Sequence, residues 1–473
     1  MMNTEIKHAR FPGKLIMIGY GSIGQATLPL LLRHFEITPQ QITIISAHGH
    51  AAARAQWSGV NFRTHALTVQ NYRSVLEPLL AQGDFLLNLS VDISSLALIQ
   101  LCHERGALYL DTSIEPWAGG YTDPDKTLSQ RSNYALREEV LALRRTQGTG
   151  PTAIVTHGAN PGLASTFVKQ ALLNVAADSG TSFKHPTVHD EWAELAFRLG
   201  IKAIHIAERD TQNSSRRKQR DEFVNTWSVV GFISEGVQPA ELGWGSHERH
   251  WPSDGAHHGY GCDAAIYLTR PGAWTRVRSW TPLEGPYIGR LITHGESISI
   301  ADHLTLREHG TVVYRPTVHY AYHPCDDALL SLHEMAGKNW RPQSRLRIMR
   351  EEIESGMDEL GVLLMGNDLG AYWFGSRLTI EQARQLAPDN NATSLQVVAG
   401  IIGGITWALR NPAAGIVEPD DLDHRLILEI ATPYLGELIG VYSDWTPLHD
   451  RSELFNEEQD RDDPWQFVNV RVV

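Results

Sequence analysis

The sequence is poor in cysteine and has no long apolar run. Its three cysteines, Cys102, Cys262 and Cys325, are far apart, so their spacing gives neither a disulfide framework nor a zinc-binding pattern. Such usage fits a reducing compartment and predicts a cytoplasmic protein. The longest apolar run, residues 397–409, is shorter than the roughly 20 residues that span a bilayer and predicts a buried helix. The polar residues 3–10 do not resemble a signal peptide, so we expect no membrane partner.

The sequence also lacks an excess of basic residues. Its 41 Lys and Arg residues against 54 Asp and Glu residues give a formal net charge of -13 at pH 7. Because nucleic-acid binding needs basic surface, we expect no nucleic-acid partner, whereas an acidic protein suits a cationic small molecule. At 473 residues the chain is too long for one ordinary core, which predicts two or three domains.

A metal-binding pattern is missing from the histidine-rich segment 244–262. Its histidines include the pair in His247-Glu-Arg-His250, which is not the HExxH arrangement of zinc enzymes, and glycines surround it. The segment therefore predicts a surface loop, and we predict no metal site.

What is present is a glycine motif directly after an apolar strand. Residues 14–18 read as a buried strand and are followed by Gly19-Tyr20-Gly21-Ser22-Ile23-Gly24, the GxGxxG pattern of a dinucleotide-binding turn. In that turn the first glycine allows the tight bend, the second lets a pyrophosphate approach, and the third lets the helix lie close to the strand. The alternative is a tight strand-to-helix turn that binds no ligand.

Strands and helices then alternate as far as about residue 163, with the first helix interrupted at Pro29. This alternation predicts a Rossmann-type doubly wound parallel sheet, which binds ligands outside the carboxyl ends of its strands. We therefore predict that cofactor-binding residues follow these strands, namely Ser46, Asn88, Ser90, Val91, Asp92, Thr112, Ser113, Asn160 and Pro161, beside residues 19–24.

The second strand of the predicted sheet does not end in the acidic residue that usually binds the ribose of NAD. The chain has Ser46-Ala-His48 there, and no arginine follows immediately. The absence of an adjacent arginine favours NAD over NADP, although Arg54 remains within possible reach of a 2′-phosphate.

Beyond residue 163 the alternation stops, and segments rich in β-branched and aromatic residues predict a second α+β domain with a largely antiparallel sheet. Residues 223–233 and 290–300 are among the predicted strands. We expect three regions: a NAD-binding domain over 1–160, a substrate-binding and dimerisation domain over 161–385, and C-terminal helices packing back on the first domain over 386–473. The last region ends in an acidic tail over 450–463, predicted to be solvated and partly ordered.

Several motifs together resemble the saccharopine dehydrogenase-like family. They are GYGSIG at 19–24, Thr-Ser-Ile-Glu-Pro at 112–116, Gly-Ala-Asn-Pro-Gly at 158–162 and Gly-Ile-Val-Glu-Pro at 415–419. Further segments at 205–210, 225–235 and 293–297 resemble the branch of this family that makes homospermidine. The resemblance covers most of the chain. It implies a homodimeric enzyme that couples two putrescines with loss of ammonia, through imine intermediates, and recycles NAD as the hydride carrier.

Six residues are predicted to be catalytic, and the resemblance supports Glu208, Glu235 and His294 among them. Because a diamine is a dication, its pocket should offer carboxylates and aromatic faces rather than arginines. Each assignment has an alternative: the acids can be solvated strand ends, and the tryptophan and histidine can be structural. The predicted set is Glu208 and Glu235 as ammonium or proton ligands, Trp227 as a cation–π partner, His294 as an acid–base group, and Asn160 and Glu115 facing the cleft.

Two other functions stay open from the sequence alone. One is an NAD(P)H-dependent reductase forming a carboxynorspermidine- or saccharopine-type product, which should present arginines to a substrate carboxylate. The other is a catalytically silent NAD-binding sensor, which needs no acid-lined pocket.

Overall fold

The structure is a computed structural model that describes residues 6–49, 52–451 and 456–472. The strands are, in chain order, β1 Ala9–Arg10, β2 Leu15–Ile18, β3 Phe35–Glu36, β4 Ile42–Ser46, β5 Asn61–Thr64, β6 Phe85–Asn88, β7 Leu108–Asp111, β8 Ala153–Ile154, β9 Ala203–Asp210, β10 Glu222–Asn225, β11 Pro239–Gly243, β12 Gly255–His257, β13 Ala265–Pro271, β14 Arg276–Thr281, β15 Gly285–Arg290, β16 Leu306–Glu308, β17 Thr311–Tyr314, β18 Thr317–His323, β19 Arg345–Ile348, β20 Met357–Met365, β21 Ala371–Thr379, β22 Ile416–Val417, β23 Glu437–Ser443 and β24 Arg471–Val472. The helices are α1 Ser22–His34, α2 Ala52–Trp57, α3 Tyr72–Leu76, α4 Ser95–Arg105, α5 Asn133–Gln147, α6 Leu163–Asp178, α7 His189–Arg198, α8 Val229–Val237, α9 Gly295–His303, α10 Asp326–Gly337, α11 Ile380–Leu386, α12 Ala392–Arg410, α13 His424–Ala431 and α14 Phe467–Val470.

The N-terminal sheet is a doubly wound parallel sheet, as predicted. Its seven strands lie in the order β22-β8-β7-β6-β2-β4-β5, and every neighbouring pair is parallel. All four residues of β2, β6 and β7 are buried, which explains their continuous apolar composition. The strand order reverses between β2 and β6, and this switch point is where such a sheet binds its ligand.

The second sheet has eleven strands and is largely antiparallel, which confirms the predicted fold class. Its main path runs β12-β13-β11-β18-β9-β20-β21-β23, and only β9 and β18 in this path pair in parallel. Strand β9 is central and all eight of its residues are buried. A central, rigid strand is therefore available to carry functional side chains.

Two predicted strands in the second half are wrong. Residues 223–233 divide into β10 and α8, which Ser228 begins by accepting a hydrogen bond from the N–H of Gly231. Residues 290–300 divide into the end of β15 and α9. The alternating Ser-Ile pattern of residues 297–300 favours a strand, but all four residues are buried in a helix, so burial on every side removes the helical periodicity.

Helices α1 and α12 hold the first domain against the rest of the chain. The predicted interruption at Pro29 is wrong, because α1 continues through it to His34. Helix α12 is buried along most of its length, as predicted, and a Cβ at Gly400 would overlap the carbonyl of Gly158.

Of the helices in the described ranges, only α12 is long and apolar enough to cross a membrane, and most of it lies inside the fold.

The C-terminal region adds strands as well as helices, which differs from the expected helices alone. Strand β22 extends the first sheet, whereas β23 and β24 join the second. Part of the predicted solvated tail, 452–455, lies outside the described residues. Residues 456–458, 461 and 462 of this tail are exposed, as predicted, whereas Asp463 is buried and pairs with Lys202 at 3.0 Å.

Candidate active site

The glycine loop leaves space for an anion at the start of α1. Gly19 has a φ of +90° and a Cβ there would lie 2.6 Å from the Leu89 carbonyl oxygen, so a side chain is excluded. Likewise, a Cβ at Gly24 would lie 2.6 Å from the Gly19 carbonyl oxygen, which lets α1 approach β2. At Gly21, by contrast, an added Cβ would meet no described atom within 4 Å. The loop therefore fits a dinucleotide pyrophosphate at the helix N-terminus.

A cavity of about 180 Å³ extends from this loop to the second domain. All six predicted catalytic residues line it, namely Glu115, Asn160, Glu208, Trp227, Glu235 and His294. Nine of the predicted cofactor residues also line it, namely Gly21, Ser22, Ile23, Ser90, Val91, Thr112, Ser113, Asn160 and Pro161. The structure thus brings residues of both predicted sets to one cavity, with Glu208, Trp227, Glu235 and His294 coming from the second region and most of the others from the first.

The other predicted cofactor residues support the cavity without lining it. Gly19 and Gly24 shape the loop as described, and Tyr20 packs edge-on against Phe62 at a ring distance of 6.0 Å. Asn88 is buried and accepts a hydrogen bond from the Ser90 hydroxyl at 2.6 Å, which orients Ser90.

Asp92 and Ser46 also lie outside the lining. The backbone N–H of Asp92 donates to Glu115 at 3.3 Å, so this position holds a predicted catalytic carboxylate through its main chain. Ser46 ends β4, at the side of the sheet away from β6 and β7.

Glu208 is a buried carboxylate held by two side-chain hydrogen bonds. It projects from the central strand β9 and accepts hydrogen bonds from Asn160 Nδ2 at 2.7 Å and from the Tyr320 hydroxyl at 2.5 Å. Burial raises the pKa of Glu208 to about 7, and the two hydrogen bonds oppose that rise. Glu208 can therefore exchange a proton near neutral pH.

His294 lies between two carboxylates. Its Nε2 is 3.2 Å from Glu235 and its Nδ1 is 3.2 Å from Glu296. Burial lowers the pKa of His294, but the two carboxylates overcome this and raise it to about 10. His294 is therefore an imidazolium at neutral pH. Glu235 reaches it from helix α8, so the predicted strand origin of Glu235 is wrong although its position in the site is as predicted.

Glu115 is a third buried carboxylate. Burial raises its pKa to about 8, the N–H of Asp92 opposes the rise, and the negative charge of Glu235 adds to it. Its backbone N–H donates to the Ser95 hydroxyl at 3.0 Å, which fixes the turn after β7. Glu115 and Glu235 therefore place two carboxyl groups close together, and a bound cation would stabilise the carboxylate form of Glu115.

Aromatic residues complete the cavity. Trp227 is half-buried, and its Nε1 donates to the Tyr322 hydroxyl at 3.2 Å. Tyr322 stacks on Tyr320 with ring centroids 5.1 Å apart. Neither tyrosine was predicted from the sequence. The signal was their two-residue spacing in 317–323, which places them on one face of β18 beside Glu208.

Acidic residues without a predicted role lie beneath Glu208. Burial raises the pKa of Asp210 and of Asp358, and repulsion from Glu208 raises the pKa of Asp358 further.

Within the described ranges, no group of three or more His, Cys, Asp or Glu residues has an arrangement that could hold a metal ion.

Known proteins share this architecture along the whole chain. The family model described as "Saccharopine dehydrogenase NADP binding domain" matches residues 15–154, and "Saccharopine dehydrogenase C-terminal domain" matches residues 158–442. A homospermidine synthase of Blastochloris viridis is 57% identical over 477 residues, covering 100% of both chains. One from Mesorhizobium japonicum is 50% identical over 472 residues, covering 98% of this chain and 97% of the relative. The chain belongs to the homospermidine synthase family.

A solved member of this family has the same fold. The crystal structure of the Legionella pneumophila homospermidine synthase, determined in complex with NAD, superposes with a TM-score of 0.93 at 52% identity and covers 100% of each chain. The family resemblance and the fold class predicted from the sequence are therefore confirmed. The two descriptions differ over the dinucleotide, since the domain model is named for NADP and the crystal structure contains NAD.

Proposed function

We propose that this chain is a homospermidine-forming enzyme that couples two putrescine molecules and releases one ammonia, with NAD bound at residues 19–24 as a recycled hydride carrier. Two diamines give one triamine and one ammonia, so the overall reaction needs no net oxidant. The full-length relatives named homospermidine synthase support this activity.

The observation that carries the proposal is the charge of the cavity. Three glutamates line it, Glu115, Glu208 and Glu235, whereas no lysine or arginine is among the described residues of its lining. The imidazolium of His294 also lines the cavity, but it is already paired with Glu235 and Glu296. A substrate with an α-carboxylate would need a further cationic partner there, so the lining disfavours the reductase alternative. Diamines carry only positive charges, which these carboxylates hold.

The residues have separable roles in this reaction. Bound NAD supplies a reversible hydride acceptor, so the carbon that bears the first amine can become an imine carbon and the new secondary imine can later be reduced. We propose that Glu208 moves a proton at the reacting nitrogen, because its pKa of about 7 lets it act in both directions.

Trp227, Glu235 and Glu115 face the cationic parts of the substrate in this proposal. The ring of Trp227 lines the same cavity as Glu208 and offers its negative face to an ammonium or iminium group. Glu235 holds His294 as an imidazolium, and its carboxylate can also bind a substrate cation. Asn160 orients Glu208 through the 2.7 Å hydrogen bond.

The remaining predictions belong to this proposal as well. We propose a cytoplasmic homodimer whose partners are diamines and polyamines rather than nucleic acid or membrane. We also propose a NAD-binding domain over 1–160, a substrate-binding and dimerisation domain over 161–385, and a C-terminal region over 386–473. The C-terminal region supplies strands to both sheets, which suits a part that fixes the two domains together.

Incubating the purified protein with putrescine and NAD tests the function. We expect a product of homospermidine mass and ammonia in equal amounts, without accumulation of NADH at 340 nm beyond the enzyme concentration. Net consumption of reduced cofactor with a carboxylate-bearing substrate would favour the reductase instead. Bound NAD with neither product would favour the sensor.

A further inference from the structure

A second cleft lies next to the active-site cavity and shares Ser22 and Ile348 with it. It is lined by parts of α1, α2, residues 348–351 and the segment from α11 to α12, and its charged residues are Arg54, Arg350, Glu351, Arg384 and Asp389. Arg350 donates to the Gln25 side chain, and Arg384 donates to the carbonyls of Arg350 and Glu351. The active-site cavity covers the strand ends on the β6, β7 and β8 side of the loop. In a sheet of this strand order a dinucleotide runs from there, past the glycine loop, to the end of β4. Its adenosine half therefore belongs beside this second cleft.

The acidic residue that usually receives the adenosine ribose is missing after β4. The chain continues from Ser46 as Ala-His-Gly-His-Ala-Ala-Ala-Arg54, without aspartate or glutamate. The structure brings an acid to this region from elsewhere in the chain. The Nη2 of Arg54 is hydrogen-bonded to Oδ1 of Asp389, which is 335 residues away in sequence.

The charges of Arg54 and Asp389 both act on a residue of the glycine loop. Burial raises the pKa of Tyr20, a residue of the loop, while the charge of Arg54 lowers it and that of Asp389 raises it further. The Arg54–Asp389 pair is therefore close enough to the dinucleotide loop to act on a ligand there.

The segment that carries Asp389 is fixed against the first domain. Its neighbour Asn390 donates to the Ala26 carbonyl in α1 at 3.3 Å. Asn391 caps α12 and donates to the Thr226 carbonyl at 2.6 Å. The carboxylate of Asp389 is thus held beside α1 by the residues that follow it.

We infer that Asp389 replaces the missing acid after β4: it accepts hydrogen bonds from the adenosine ribose hydroxyls and, by engaging Arg54, disfavours a dinucleotide with a 2′-phosphate. The inference rests on the proposed function, because it assumes a bound nicotinamide dinucleotide. A ribose hydroxyl can donate to a carboxylate. A 2′-phosphate, with about two negative charges, would face that carboxylate and an arginine that is already paired.

Binding to cofactor-free, full-length protein tests this inference directly. Calorimetric titration with NAD and with NADP gives a Kd for each, and their ratio is the readout. We expect the wild type to prefer NAD. In Asp389→Asn the ratio should shift toward NADP by about tenfold or more, because a freed guanidinium gains a charge-assisted bond to phosphate. In the double variant Asp389→Asn/Arg54→Gln the gain in NADP affinity should be lost.

The matched control is Asp368→Asn, which removes an equal charge from an exposed turn between β20 and β21 and should leave the ratio unchanged. An unchanged ratio in Asp389→Asn, with NAD binding intact, would overturn this inference alone. A wild type that binds neither dinucleotide would overturn the proposed function together with it. Arg54→Gln gives an independent check, since it leaves the Asp389 carboxylate in place and should not improve NADP binding.

Discussion

Nε2 of His294 lies 3.2 Å from Oε2 of Glu235, although 59 residues separate them in sequence. The histidine precedes α9 and the glutamate lies in α8, so the contact depends on folding that brings α8 next to the start of α9. The pair makes His294 a cation without substrate, which sets the charge that an incoming diamine encounters.

The His294 cluster should make stability depend on pH in the alkaline range. The pKa of His294 is raised from 6.5 to about 10, so its stabilising contribution is fully present below about pH 6.5 and is lost as pH rises through 10. At about 1.4 kcal/mol per pKa unit, this contribution is on the order of a few kcal/mol. Thermal unfolding should show a decline in melting temperature between pH 7 and pH 10 that is larger in the wild type than in His294→Gln. Parallel pH curves for the two proteins would contradict it.

Changing Gly21 to valine should abolish cofactor binding and preserve the fold. A Cβ at Gly21 meets no described atom within 4 Å, so the added methyl groups enter the space for the pyrophosphate and not the core. Nicotinamide nucleotide released on denaturation, together with NAD titration, measures the effect. Gly337→Val is the control, because this exposed glycine at the end of α10 has equally open space. A Gly21→Val protein that retains NAD would show that the loop does not hold the cofactor.

Glutamine at Glu208 or Glu235 should lower activity far more than stability. Glutamine keeps the shape of the side chain and removes its charge, so we expect kcat/KM for putrescine to fall by about 10² to 10⁴. Melting temperature measured beside turnover separates the two effects. Glu429→Gln, an exposed position on α13, controls for the loss of one negative charge. Wild-type kinetics in both variants would remove these residues from the site.

The pH profile of kcat/KM should identify Glu208. Because the carboxylate form accepts protons and holds ammonium groups, the rate should rise as pH increases through about 7, the raised pKa of Glu208. Glu208→Gln should lose this inflection, while Glu115→Gln should retain it. If the inflection persists in Glu208→Gln, another group is titrating.

Trp227 can be tested for cation–π binding separately from packing. Phenylalanine keeps a weaker negative ring face and leucine keeps only bulk, so Trp227→Phe should retain more activity than Trp227→Leu, with a difference worth roughly 0.5 to 2 kcal/mol. Trp227 also packs on Phe232 at 5.5 Å, so both variants should lose some thermal stability. Activity that merely follows the folded fraction, or equal activity in the two variants, would assign Trp227 to the core.

The sequence determined more of the fold and of the candidate site in the first domain than in the second. In the first domain the strands are buried on both faces and the helices alternate with them, so local pattern alone predicts the sheet, the glycine loop and the strand ends that line the cavity. Glu208 and Glu235 were accessible only through the family resemblance. Helix α9 was missed because burial on all sides hides its period, and α8 was missed because its β-branched and aromatic residues, among them Val229, Val230 and Phe232, favour a strand.

The neighbours and pKa values of the site residues were decided by tertiary structure, since they depend on contacts between distant parts of the chain. Sequence identifies an acid but not its neighbours. The raised pKa of Glu208 follows from burial in β9 beside Asn160 and Tyr320, which come from other elements. In the same way, the sequence after β4 left the dinucleotide undecided, and only folding places Asp389 on Arg54. Composition and local pattern thus determined the chain's class and its loop, while the charges and proton affinities of the site arose from long-range packing.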